Sequence, residues 1–165
     1  MVLSSCTTQP SVEKTATPEI PATLAVFPTN TPSFTPENLA YIAELKVKVP
    51  AWVSAYTEVN GYNQLTMDNN RIFFTETWQN VMLDTLDKFS TASDDLVNIQ
   101  PVPPDMKKNN EYLIQAVDES KLMIQTYKAM IKAKDRSTLD QVNVHSENAL
   151  RYIKLANDEI SAYLK

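Results

Sequence analysis

The stretch Trp78–Asp105, WQNVMLDTLDKFSTASDDLVNIQPVPPD, decides the fold. Trp78, Met82, Thr85, Phe89, Ala92, Leu96 and Ile99 recur at alternating spacings of four and three, which puts them on one face of a helix. Thr75 and Glu76 supply a capping hydroxyl and a first-turn acid ahead of it. Pro101-Val102-Pro103-Pro104 then stops it, because proline has no N–H and drives the preceding residue out of the helical region.

The same spacing extends to both sides. Towards the N-terminus, Ile42, Leu45, Val49, Trp52, Tyr56 and Val59 form a stripe opened by Thr35-Pro36-Glu37, a cap with proline at the first helical position. Pro50 lies inside this stripe and deprives the Lys46 carbonyl of its donor, so a kinked helix is expected. The alternation Leu45-Lys46-Val47-Lys48-Val49 would also suit a strand, but the stripe continues beyond the proline. Gly61 and the polar run to Asn70 are expected to loosen the chain. Towards the C-terminus, Met106, Leu113, Val117, Ile124, Tyr127 and Ile131 form a third stripe, with Asn110 and Ser120 on the same face. Ser137 and Asp140 resemble a capping box, and Leu139, Val142, Ala149, Ile153, Ala156, Ile160 and Tyr163 make the fourth.

Composition agrees with this pattern. The 165 residues contain a single glycine, Gly61, whereas sheet proteins use glycine in hairpins and bulges. None of the four stripes can shield itself from water, and short connections make antiparallel neighbours. The expected fold is all-α: an antiparallel up-and-down four-helix bundle over 37–165, the first helix kinked at Pro50. A three-helix core with the first segment draped alongside is the alternative.

Residues 1–36 read as a disordered tether. From Thr7 to Pro36 roughly half the residues are threonine or proline, too little apolar surface to offset the entropy of ordering. Leu24-Ala25-Val26-Phe27 is its one apolar patch. Before it stands Leu3-Ser4-Ser5-Cys6, which resembles a bacterial lipobox, with leucine three residues ahead of a cysteine that is lipidated. The chain's only cysteine thus lies directly before a Thr/Pro linker, an arrangement similar to that of secreted lipoproteins. Only Met1 and Val2 precede the motif, where a signal peptide carries a charged start and an apolar stretch, so either the start is misassigned or the chain is a fragment. The resemblance implies lipidation of Cys6, a membrane anchor and a position on the outer face of a bacterial cell membrane. A cytosolic protein with a chance cysteine is the other reading. From Trp78 onward the layout is similar to helical domains of unknown function in secreted lipoproteins of Gram-positive and related bacteria, a resemblance that brings no catalytic or binding residues.

Chemistry-bearing patterns are sparse. A formal charge of −5 argues against nucleic acid, whose phosphates need clustered cations. Lys128, Lys132, Lys134 and Arg136 fall at a helix end, where they complement its dipole. His145, the only histidine, is expected at a half-exposed flank position without an obvious catalytic partner. Asp94-Asp95 and Asp118-Glu119 read as solvated faces. With no inward carboxylates and no C-x-x-C-H motif, and with Met82, Met106, Met123 and Met130 as core filler, neither metal nor cofactor is expected. Two functions remain. The favoured one is a non-enzymatic, lipid-anchored extracytoplasmic interaction module, with a surface patch drawn from Tyr41, Tyr56, Tyr62, Tyr112, Tyr127, Tyr152 and Tyr163, several of which are better explained as core-edge residues. The other is a small-molecule or cofactor carrier with a cavity between the helices, suggested by Asn110, Ser120 and Thr85 on buried faces.

Overall fold

The computed structural model describes residues 35–164; Cys6, the lipobox-like motif and the Thr/Pro linker lie outside them. Helix α1 (Pro36–Asp68) starts at Thr35, whose hydroxyl accepts from the Asn38 N–H at 3.1 Å. A single 3₁₀ turn, Ile72–Phe74, leads to α2 (Glu76–Val97), where the Thr75 hydroxyl accepts from the Trp78 N–H at 3.4 Å. The proline run passes through a second 3₁₀ turn, Pro104–Met106, into α3 (Lys107–Ala133). Lys134 closes α3 in the left-handed conformation (φ 52°), its N–H bonded to the Ile131 carbonyl, and α4 (Leu139–Tyr163) follows.

The four helices pack antiparallel around one core, α3 most closely with α4, α1 with α2, and α2 with α3. Trp52 is fully buried, stacked on Tyr56 at 5.4 Å and set against Phe89 of α2 at 5.3 Å. α1 is therefore a full member of the core and is not draped beside three other helices. At one end Phe73 plugs the bundle, its ring 5.3 Å from Trp78 and covered by the Arg136 guanidinium at 5.6 Å. Among the basic residues at that end, Arg136 also donates to the Thr66 carbonyl at 3.3 Å and Lys128 pairs with Asp87 at 2.5 Å.

Four local expectations need correction. The chain does not loosen at Gly61; α1 runs seven residues further, to Asp68. A glycine in a helix costs about 1 kcal/mol, and three cross-helix bonds outweigh it. The Trp78 indole donates to the Tyr62 carbonyl at 3.1 Å, the Tyr127 hydroxyl to Asn63 at 2.5 Å, and Arg136 to Thr66. Two buried polar positions are offset by one residue: Asn109 is buried where Asn110 was expected, and Ser93 where Ala92 was expected. The Ser137–Asp140 capping box does not form. Ser137 instead donates its N–H and hydroxyl to Asp135 at 2.9 and 2.8 Å, and Thr138 stands at the N-cap without a side-chain bond. Three of the tyrosines expected in a surface patch are withdrawn from it, since Tyr41, Tyr56 and Tyr127 are buried, whereas Tyr62, Tyr112, Tyr152 and Tyr163 lie at the edge of the core and stay partly exposed.

Burial pushes the Tyr41 phenol up to about 12, and desolvation also raises that of Tyr127. Unfolded tyrosine ionises near pH 10. Above that pH the unfolded chain releases protons that the folded chain still holds, so stability drops as pH rises. The contribution is complete below about pH 10 and is lost by the time the folded Tyr41 ionises near pH 12. Urea midpoints measured on the alkaline side should fall steeply over this window, and a Tyr41→Phe, Tyr127→Phe double variant should show a flatter decline. Equal slopes would contradict the burial of these phenols.

Candidate functional site

In an up-and-down bundle the first and last helices should close the ring. Here α1 and α4 scarcely approach backbone to backbone, and side chains bridge the seam at two points. Near one end the Asn38 amide donates to the Tyr163 hydroxyl, and further along Tyr56 and Ser146 share a hydrogen bond at 2.6 Å. Between these ties lies a cleft of about 290 Å³. Ile42, Leu45 and Val49 of α1 face Ile160, Ala156 and Ile153 of α4 across it in the register that the two ties set, and Asn109 and Leu113 of α3 form the floor. The stripe residues expected to close on one another thus leave an apolar recess that reaches the core.

Three polar residues meet this recess. Asn109 is committed: its Oδ1 accepts from the Tyr41 hydroxyl at 3.0 Å and its Nδ2 donates to the Ala156 carbonyl at 2.7 Å. Lys46 and Asn157 line the mouth from opposite helices and stand at the same level in the antiparallel register. Among the described residues Lys46 is the only ionic one that lines the cleft, and it makes no ion pair with any of them. A larger hollow of about 730 Å³ lies outside α1 beside Asn98–Pro101. The Glu44–Lys48 ion pair at 3.2 Å lies along it, whereas the α1–α4 cleft lies between two helices.

The buried polar groups that suggested a ligand are satisfied within the chain. Ser120 donates to the Ala116 carbonyl at 2.7 Å and Thr85 to the Val81 carbonyl at 2.8 Å. Asn110, only half-buried, stands 3.5 Å from the Tyr41 hydroxyl. These groups therefore give no reason to invoke a ligand; the open seam does.

His145 does have a partner. Its Nδ1 lies 2.7 Å from Glu119 Oε2, and Asn148 donates to the other carboxylate oxygen at 3.4 Å. Glu119 is thus a partly buried tie between α3 and α4 and no solvated-face residue, although Asp94, in the other acidic pair, forms an exposed bridge to Lys121 at 2.8 Å. Among the cavities described, none is lined by His145. The His–carboxylate pair joins α3 to α4. Among the described residues no cluster of three or more histidine, cysteine, aspartate or glutamate side chains could hold a metal ion, and no helix is long and apolar enough to cross a membrane.

No protein-family model, curated protein sequence or solved structure matches the chain. The cleft's own geometry therefore carries the functional reading. Its apolar walls were legible as core positions; Lys46 and Asn157 were missed as site residues. The one signal pointing to this segment was Pro50, a helix-interior proline that lines the cleft beside Lys46.

Proposed function

We propose that the protein is a non-enzymatic binding module, tethered through a lipidated Cys6 to the outer face of a bacterial membrane, and that it holds a small apolar molecule in the α1–α4 cleft. The observation that carries this reading is the seam itself: an apolar recess bracketed by two hydrogen-bonded ties and floored by Leu113 and Asn109. Small-molecule sites are typically apolar concavities with a few placed polar groups, often between the helices of a bundle. This favours the carrier alternative over docking of a protein partner, for which three of the seven expected tyrosines are buried. Support for the tether is the Leu3-Ser4-Ser5-Cys6 motif ahead of a Thr/Pro-rich stretch.

A crossed experiment separates the two halves of the proposal. 1-Decanol serves as the apolar probe, titrated calorimetrically into the full chain produced with a bacterial signal peptide. Cys6→Ala should leave the membrane fraction and enter the soluble one while binding decanol as the parent does. Ile160→Trp, which fills the cleft from a partly exposed position, should stay with the membrane and bind roughly tenfold or more weakly, the equivalent of about 1.4 kcal/mol. A parent chain that ignores decanol, or an Ile160→Trp chain that binds it undiminished, rules out the cleft. A Cys6→Ala chain that remains with the membrane rules out the anchor.

A further inference from the structure

We infer that the ligand of the α1–α4 cleft is a single-chain amphiphile with a carboxylate head, its tail lying between the apolar walls and its head at the mouth between Lys46 and Asn157. This rests on the cleft being a ligand site and adds the chemical class of the ligand.

The tail follows from the shape and lining of the recess. It extends along α1 from Ile42 to Pro50, on the order of 12 Å at the helical rise, the length of a medium acyl chain. It reaches Leu164 at the level of the Asn38–Tyr163 tie, and the Tyr56–Ser146 tie lies beyond its other end. A partner helix would have to run out past those ties, and a two-chain lipid is too wide for about 290 Å³. The side walls, Ile42, Leu45, Val49, Ile153, Ala156 and Ile160, offer no polar side chain. The floor amide, Asn109, already has its donor and acceptor in use.

The head follows from charge. In a chain of formal net charge −5, the one ionic group lining this cleft is the Lys46 ammonium, without a carboxylate partner among the described residues. Lys46 stands at the mouth, where an ammonium stays hydrated while its stem lies on apolar surface. Asn157, at its level on α4, adds an amide donor. One ammonium and one amide match the single charge and two acceptor oxygens of a carboxylate. A cationic head would find no anion among the described residues that line the cleft, and a doubly charged phosphate head would find only half its charge met.

The experiment titrates decanoate, 1-decanol and decyltrimethylammonium, each below its micellar concentration, into the parent chain and into Lys46→Gln. The lysine is exposed, so the variant should fold, and circular dichroism verifies that it does. Decanoate affinity should fall roughly tenfold or more in Lys46→Gln, as expected for loss of a charge-assisted hydrogen bond, while decanol affinity holds. The cationic probe should bind more weakly than decanoate to the parent. If decanol binds but decanoate is indifferent to Lys46→Gln, or if the cation binds as well as decanoate, the head assignment is overturned while the cleft stands. If none of the three probes binds, the cleft and the ligand class fall together.

Discussion

Replacing Trp52 with alanine is expected to cost about 4 kcal/mol of the domain's stability, within the range for deleting a fully buried large aromatic. The ring has no exposed surface and is part of an aromatic group with Tyr56 and Phe89, the latter two 6.0 Å apart. Removing it would leave a cavity on the α1–α2 side that its neighbours, held on rigid helices, could fill only partly. Tyr56 would lose the surface it stacks on, and its hydroxyl is one of the two ties across the α1–α4 seam. Since domains of this kind are stable by only about 5–15 kcal/mol in total, the urea midpoint should move far towards water. Trp52→Phe should cost much less. It keeps an aromatic ring in place and removes the indole N–H, which is buried without a hydrogen-bond partner among the described residues and so carries a desolvation penalty in the parent. A loss below about 1 kcal/mol for Trp52→Ala would mean that α1 does not share the core.

Local signals made the helices legible. Thr35 and Thr75 cap where the sequence placed caps, the proline run ends α2, and the four apolar stripes point inwards. What escaped depends on how the helices meet. Gly61 looked like a breaker because its cost is local, whereas the bonds that hold Tyr62, Asn63 and Thr66 in the helix come from residues 16 to 70 positions away. Asn109 takes the buried place expected of Asn110 because its amide is engaged from two other helices, by the Tyr41 hydroxyl of α1 and the Ala156 carbonyl of α4, which a count along α3 does not contain. Glu119 reaches His145 through the α3–α4 register, which no single stripe encodes. The cleft is the extreme case. Each of its walls was read correctly as apolar and inward, but the distance between α1 and α4 is set by the whole ring of helices.

Asn109 tests whether that ring is held as described, because one side chain joins three of the four helices. It accepts from Tyr41 of α1 and donates to the Ala156 carbonyl of α4, at 3.0 and 2.7 Å. Asn109→Leu keeps the branched shape, is somewhat larger and adds apolar surface, so a purely hydrophobic account would have it near neutral. The expected result is instead a loss of about 2–3 kcal/mol, because the buried Tyr41 hydroxyl is left with Asn110 at 3.5 Å as its nearest acceptor and a stranded polar group bears its full desolvation cost. The α4 carbonyl suffers less, since its own helix supplies a donor. Tyr41→Phe alone removes the phenol together with its need for a partner and should cost about 1 kcal/mol. In the double variant both ends of the bond are apolar, so its loss should be smaller than the sum of the single losses by about 1 kcal/mol or more. Urea titration of the four proteins measures this coupling. Strict additivity would show that Tyr41 and Asn109 do not meet, and the floor of the cleft would then have to be drawn differently.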